Sequence, residues 1–171
     1  DFDLKAHQEY SGKKLQYFDP ELGESYIPYV VETSIGLDRM FLTVLSHSFQ
    51  EEQLENGESR VVLKIPAILS PIKAAILPLT KKDGMPEKAR EIMKMLQIDF
   101  NCQYEEKDSI GKRYRRQDAI GTSFCITVDH QTLEDNTVTL RDRDTMEQER
   151  VSIEKLHSII AEKVNISKYL I

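Results

Sequence analysis

This 171-residue sequence has no apolar run near the ~20 residues that a membrane-spanning helix requires, so no such helix and no membrane partner are expected. Its first residues, Asp1-Phe2-Asp3-Leu4, lack an initiator Met and the basic and apolar regions of a secretory signal. They read as the start of a piece taken from a longer chain. Cysteine is scarce. Cys102 and Cys125 have no close Cys or His partner, which argues against a zinc site. Both lie in apolar, strand-like runs and read as buried, reduced thiols. His7, His47, His130 and His157 show no ligand spacing and read as surface or capping residues. No metal site is expected, and no Ser–His or Cys–His arrangement suggests covalent catalysis.

Hydrophobic residues make up 40% of the chain and charged residues 30%, which predicts a folded globular chain and not a disordered one. The length fits one domain, or one domain plus a fragment of another. A net charge of -6 argues at first against nucleic acid, but the charge is uneven. Residues 1–60 carry 12 acidic and 5 basic side chains, whereas residues 61–171 carry 17 and 18. The basic residues concentrate at Lys112, Arg113, Arg115 and Arg116, and again at Arg141, Arg143 and Arg150. An acidic piece joined to a locally basic module is compatible with RNA contact at one face.

The periodicity predicts strands over residues 14–19 and 26–32 (YIPYVVE), then a helix from Leu37 with Met40, Phe41, Val44 and Leu45 on one stripe. The polar run 50–59 reads as an interdomain connection. Strands are expected at 60–65, 72–79, 100–104, 123–128 and 137–141, with a last one near Val151. Helices are expected from Pro86, over 109–119 up to Gly121, and along Ile153, Leu156, Ile160 and Val164. Residues 134–136 read as a hairpin turn. Such alternation predicts an α/β fold, a mixed sheet with helices packed on it.

The strongest local signal is Glu32-Thr33-Ser34-Ile35-Gly36-Leu37-Asp38-Arg39 at a strand-to-helix junction. On a strand Glu32 and Ser34 share a face, and a carboxylate taken out of water needs a cation such as an ammonium. Gly36 admits a ligand close to the backbone, and a helix start favours an anion. Arg39 in the first turn suits a phosphate. The pattern also fits an N-capped core helix with a solvated Arg39 and a surface Glu32.

Residues 26–39, YIPYVVETSIGLDR, resemble motif 3 of class II aminoacyl-tRNA synthetases, and the wording Glu-x-Ser-x-Gly-x-x-Arg resembles the glycyl-tRNA synthetase family. DFDL and HQEYSG near the start are similar to that family's catalytic domain. IKAAILPL (72–79), SIGKRYRR (109–116), DAIGT (118–122) and TLRDRDT (139–145) are similar to its anticodon-binding domain. Thr33 departs from the Pro found in many members. The resemblance implies residues 1–55 as a fragment of the antiparallel-sheet catalytic domain and 60–171 as the anticodon-binding domain. It implies that Glu32, Thr33, Ser34, Ile35 and Gly36 border glycine, and that Gly36, Leu37, Asp38 and Arg39 border ATP, with Arg39 catalytic on the triphosphate. Mg2+ would accompany ATP. The full-length protein would be a cytoplasmic homodimer that forms glycyl-adenylate and transfers glycine to its tRNA.

Arg141 and Arg143 alternate along a strand and could reach single-stranded bases from a sheet edge. By the resemblance they contact the anticodon together with Glu134, Arg113 and Arg116, with Gln148 and Arg150 as weaker candidates. The same strand also reads as Arg–Asp ion pairs with Asp142 and Asp144. Two other functions fit the pattern: an inactive synthetase-like RNA-binding module, and a class II synthetase for another amino acid. Glu32 with Ser34 speaks against the last, since a larger substrate needs a different pocket. The family's dimer-forming motif and its adenine-binding motif are not found in this sequence. The isolated 171-residue chain is therefore predicted to give no glycine-dependent pyrophosphate exchange above background.

Overall fold

A computed structural model describes residues 1–54 and 57–170, with side chains except at 168 and 169. In chain order the elements begin with helix α1 (Phe2–Ser11), strands β1 (Tyr17–Asp19) and β2 (Glu24–Tyr26), and helix α2 (Leu37–Ser48). Strands β3 (Phe49–Gln53), β4 (Ser59–Leu63) and β5 (Ala74–Pro78) follow, then helix α3 (Met85–Leu96), strand β6 (Cys102–Tyr104) and helix α4 (Ile110–Ile120). Strand β7 (Phe124–Val128), helix α5 (His130–Asp135), strands β8 (Thr137–Asp142) and β9 (Gln148–Ser152), and helix α6 (Leu156–Lys163) follow, with short 3-10 turns at Ile153–Lys155 and Ile166–Tyr169 on either side of α6. The chain divides into two units, Asp1–Arg39 and Met40–Ile171.

In the first unit, Gly12 ends α1 in the left-handed conformation, φ 70°. β1 and β2 form an antiparallel hairpin with Tyr17 opposite Tyr26. Asp19 Oδ1 accepts from the backbone N–H groups of Glu21 and Leu22 and closes the turn. The strand expected over 26–32 reaches only Tyr26, and residues 27–36 have no regular structure. A strand persists where its backbone groups find a partner and its apolar face a core. No third strand pairs here among the described residues of this unit, and Val31 is 95% exposed.

The second unit is built on a five-stranded sheet in the order β6-β5-β7-β8-β9. β6, β5 and β7 are parallel, and β8 and β9 are antiparallel to their neighbours. This mixed sheet is the architecture the alternation predicted. Apolar residues repeat every second position along β7 and β8, so Phe124, Ile126, Val128, Val138 and Leu140 face one side. They pack there with Ala74 and Ile76, with Met85, Ala89, Ile92 and Leu96 of α3, and with Leu156 and Ile160 of α6. The opposite side is sparse. Ala75, Leu77 and Cys125 meet only Ile110 and Tyr114 of α4 among the hydrophobic side chains packed there.

Two connections differ from expectation. The polar run 50–59 is not a plain connection: Phe49–Gln53 pairs antiparallel with Ser59–Leu63, and both strands belong to the second unit. Residues 55 and 56 lie outside the described residues. The turn expected at 134–136 is instead the end of α5. Asp129 and Thr132 form a reciprocal capping box at its start, and Asn136, φ 55°, closes it.

Gly121 has φ 81°, and a Cβ placed there would lie 3.0 Å from Ile65 Cγ2 and 3.1 Å from the Leu63 carbonyl oxygen. Backbone strain and the clash act together. Gly121→Ala is expected to lower unfolding stability by about 2 kcal/mol, read from urea denaturation followed by circular dichroism.

Candidate functional site

The sparse side of the sheet is held by charge. Asp118 of α4 is fully buried. Its two oxygens accept from Arg141 on β8 at 2.7 and 3.0 Å, a bidentate pair. Arg60 of β4 donates to Asp118 at 3.1 Å, to the Arg143 carbonyl at 3.0 Å and to Glu52 at 2.7 Å. The Lys64 hydrogen bond, with Arg60 adding to it, holds the Glu52 carboxyl below the usual carboxylate range against the effect of burial. Burial is the largest influence on Arg141 and opposes its charge, but the hydrogen bonds it donates to Asp118 and the attraction of the Asp118 charge together raise its pKa. Tyr114 lies beneath the Arg141 guanidinium, 4.8 Å from ring centre to Cζ, and its hydroxyl pairs with Thr127 Oγ1 at 2.6 Å.

Above this buried layer lies a cleft of about 420 Å³ between α4 and the β8–β9 turn. Lys112 and Arg115 line it from α4, Arg141 and Gln148 from the strands, and Met146 from the turn between them. Glu58 stands 3.6 Å from Arg115. With Arg141 balanced by Asp118, Lys112 and Arg115 against Glu58 give the cleft a modest local excess of positive charge in a chain of net charge -6. The turn is closed by the Met146 N–H donating to the Asp142 carbonyl at 3.0 Å, with Met146 at φ 61°. Asp83, Asp108 and Asn136 also have positive φ, but short polar side chains tolerate it, whereas for Met it costs about 1 kcal/mol.

The expected RNA-contacting arginines divide by location. Arg141 and Arg143 are 4% and 3% exposed, so the open edge of same-face arginines expected from sequence is corrected: α4 covers Arg141, and Arg143 turns inward. Arg143 donates to the carbonyls of Gly121 and Ile65 and pairs with Asp144. Arg113 is buried as well, donating to the carbonyls of Pro78, Glu105 and Leu79. Burial lowers its pKa. Arg116 is exposed but paired with Glu105 at 2.7 Å and Asp108 at 3.0 Å. Glu134 is exposed on α5, ahead of β8, so a six-residue strand of roughly 20 Å separates it from the cleft. Arg150 makes a bidentate pair with Asp129. Lys112 and Arg115, three apart on α4, share the face that Arg113 and Arg116 do not.

Glu32, Thr33, Ser34, Ile35, Gly36, Leu37, Asp38 and Arg39 are all exposed. Ser34 donates to Glu32 Oε1 at 3.0 Å, so this pair is brought together, though not on a strand. Leu37, Asp38 and Arg39 form the first turn of α2. Both thiols stay protonated at neutral pH, because burial pushes Cys102 up to about 11 and Cys125 up to about 12. Among the described residues no three His, Cys, Asp or Glu side chains gather to hold a metal ion, and no helix is long and apolar enough to cross a membrane.

The family model described as "Anticodon binding domain" matches residues 73–163, the span from β5 to the end of α6. The chain belongs to the anticodon binding domain family. It is 54% identical over 164 residues to glycine–tRNA ligases of Clostridium tetani and of Chlorobaculum tepidum, covering 96% of this chain and 35% of each relative. The chain thus spans about a third of the length of the curated relatives it matches. Two solved structures share the fold. Prolyl-tRNA synthetase from Cryptosporidium parvum is 17% identical at a TM-score of 0.56, over 67% of this chain and 30% of that one. The RNA binding domain of threonyl-tRNA synthetase from Cryptosporidium parvum is 24% identical at a TM-score of 0.54, over 58% and 25%.

In this anticodon binding domain the matched span contains Asp118 and Arg141, while Arg60 reaches in from the hairpin that precedes it. Removing one member of a buried ionic group leaves the others uncompensated. Asp118→Ala is therefore expected to cost about 3–5 kcal/mol of stability, measured as a shift in urea midpoint, whereas Arg115→Ala at the surface should move it little.

Proposed function

We propose that the chain is part of a glycine–tRNA ligase and that its second unit holds the anticodon loop of the tRNA for glycine in the α4–β9 cleft. The relatives that match nearly all of the chain are glycine–tRNA ligases at 54% identity, which disfavours a synthetase for another amino acid. The observation that carries the RNA reading is the cleft, where Lys112 and Arg115 project from α4 over the Arg141 floor. Phosphate oxygens would take the two projecting cations. Arg141 and Arg143 act beneath, fixing the strands that shape the cleft, and Arg116 and Glu134 are proposed as peripheral contacts.

For the whole enzyme we propose glycine, ATP with Mg2+ and tRNA as substrates, a homodimer, and a cytoplasmic location. Glu32 would pair with the glycine ammonium in place of its present Ser34 partner. Ser34, Thr33, Ile35 and Gly36 would border the amino acid, and Leu37, Asp38 and Arg39 the nucleotide. Attack of a carboxylate on the α-phosphate is a matter of positioning and charge stabilisation, and Arg39 is the cation of this segment suited to it.

An anticodon stem-loop with the two cytosines common to glycine anticodons should bind at least about tenfold more tightly than the same loop with both changed to uracil. Fluorescence anisotropy at two salt concentrations reads this ratio. Lys112→Ala and Arg115→Ala should each weaken both loops and lower the salt slope by about 1. Arg141→Ala is a poor test, because it strips a partner from Asp118. Equal binding to both loops with an unchanged salt slope in the two variants would reject the cleft.

A further inference from the structure

We infer that Met146 is a packing wall of the α4–β9 cleft and sets its thioether against an unstacked base of single-stranded RNA. The inference rests on the reading of that cleft as an RNA site. Among the described non-glycine residues with positive φ, three are Asp or Asn, which suit the conformation, and the fourth is Met146. A turn that needs only the left-handed conformation is best served by Gly or Asn. Core packing does not explain the side chain either. Met146 is 36% exposed and belongs to neither buried cluster of the unit.

Its place in the cleft supplies a role. Lys112, Arg115 and Arg141 are cations, Glu58 is an anion, and Gln148 is an amide. Arg141 lies against the Tyr114 ring, so that ring is partly spent. Met146 is the one aliphatic side chain among the cleft's lining residues. A single-stranded base offers a flat, polarisable face, and a thioether is a soft, adaptable partner for such a face. Beside it, the Gln148 amide can both donate to and accept from a base edge. The cleft volume of about 420 Å³ falls within the few hundred Å³ of small-ligand sites, enough for one flipped-out base while Lys112 and Arg115 meet its phosphates.

The test uses the whole chain and the cytosine-containing anticodon stem-loop at two salt concentrations, with Met146→Gly, Met146→Asn and Met146→Leu. Gly and Asn both suit the turn, so neither variant should melt below the wild-type chain. Both should bind the loop roughly 3- to 10-fold more weakly with an unchanged salt slope, because no phosphate contact is lost. Leu should keep most of the affinity. Gly and Asn variants that bind within twofold of a wild-type chain that itself binds would overturn this inference alone. Failure of the wild-type chain to bind the loop would overturn the cleft reading and this inference with it.

Discussion

The carboxylate of Asp118 joins three segments that are distant in sequence. It receives Arg141 from β8 and Arg60 from the β3–β4 hairpin, while it stands itself on α4. This matters because the two sides of the sheet are held differently. On the α3–α6 side, apolar burial alone suffices, with Ile92, Leu96, Ile126, Leu156 and Ile160 all nearly inaccessible. On the α4 side the apolar contribution is small, and polar contacts hold α4: the Asp118 group, Arg113 on the carbonyls of Pro78, Glu105 and Leu79, and Tyr114 on Thr127. Asp118 and Glu52 balance Arg60 and Arg141, so the buried charge is close to neutral. Such a group adds less stability than an apolar core of the same volume. Its geometry is directional, however, and direction is what α4 needs in order to project Lys112 and Arg115 outward.

The fold of the second unit was largely legible, because its signals are local and repetitive. Period-two alternation marks β7 and β8, Pro86 sits at the start of α3, and Gly121 stops α4. The pairing of the polar run 50–59 was not legible. Phe49–Gln53 carries two Gln and two Glu, yet it pairs along its length with Ser59–Leu63, and Arg60 and Lys64 supply cations for Glu52 across that pair. α5 was missed because a six-residue helix is too short for a periodic stripe, although its capping pair Asp129 and Thr132 is visible in the sequence.

The site was legible in outline and misread in detail. Four basic residues on α4 point to a charged surface, but which of them face outward depends on which face of the helix is buried. That stripe runs through Arg113, Gln117 and Asp118, residues that hydropathy assigns to solvent. Arg141 and Arg143 were misplaced for the same reason. A buried arginine and an exposed one have the same one-letter code, and only Asp118 and the carbonyls of Gly121 and Ile65 separate them. Glu32 and Ser34 do meet, but through a hydrogen bond in a segment without strand partners.

A chain with six excess negative charges gains nothing from long-range attraction to RNA. At physiological ionic strength a charge is felt over about 8 Å, so the field that matters is that of the nearest side chains. Within that range Asp118 balances Arg141, and Lys112 and Arg115 outnumber Glu58. Much of the acidic excess lies in residues 1–60. Screening therefore confines attraction for phosphate to the neighbourhood of exposed cations, among them Lys112 and Arg115. If the cleft takes RNA as proposed, the place where RNA settles then depends less on attraction from a distance than on local shape at the β8–β9 turn.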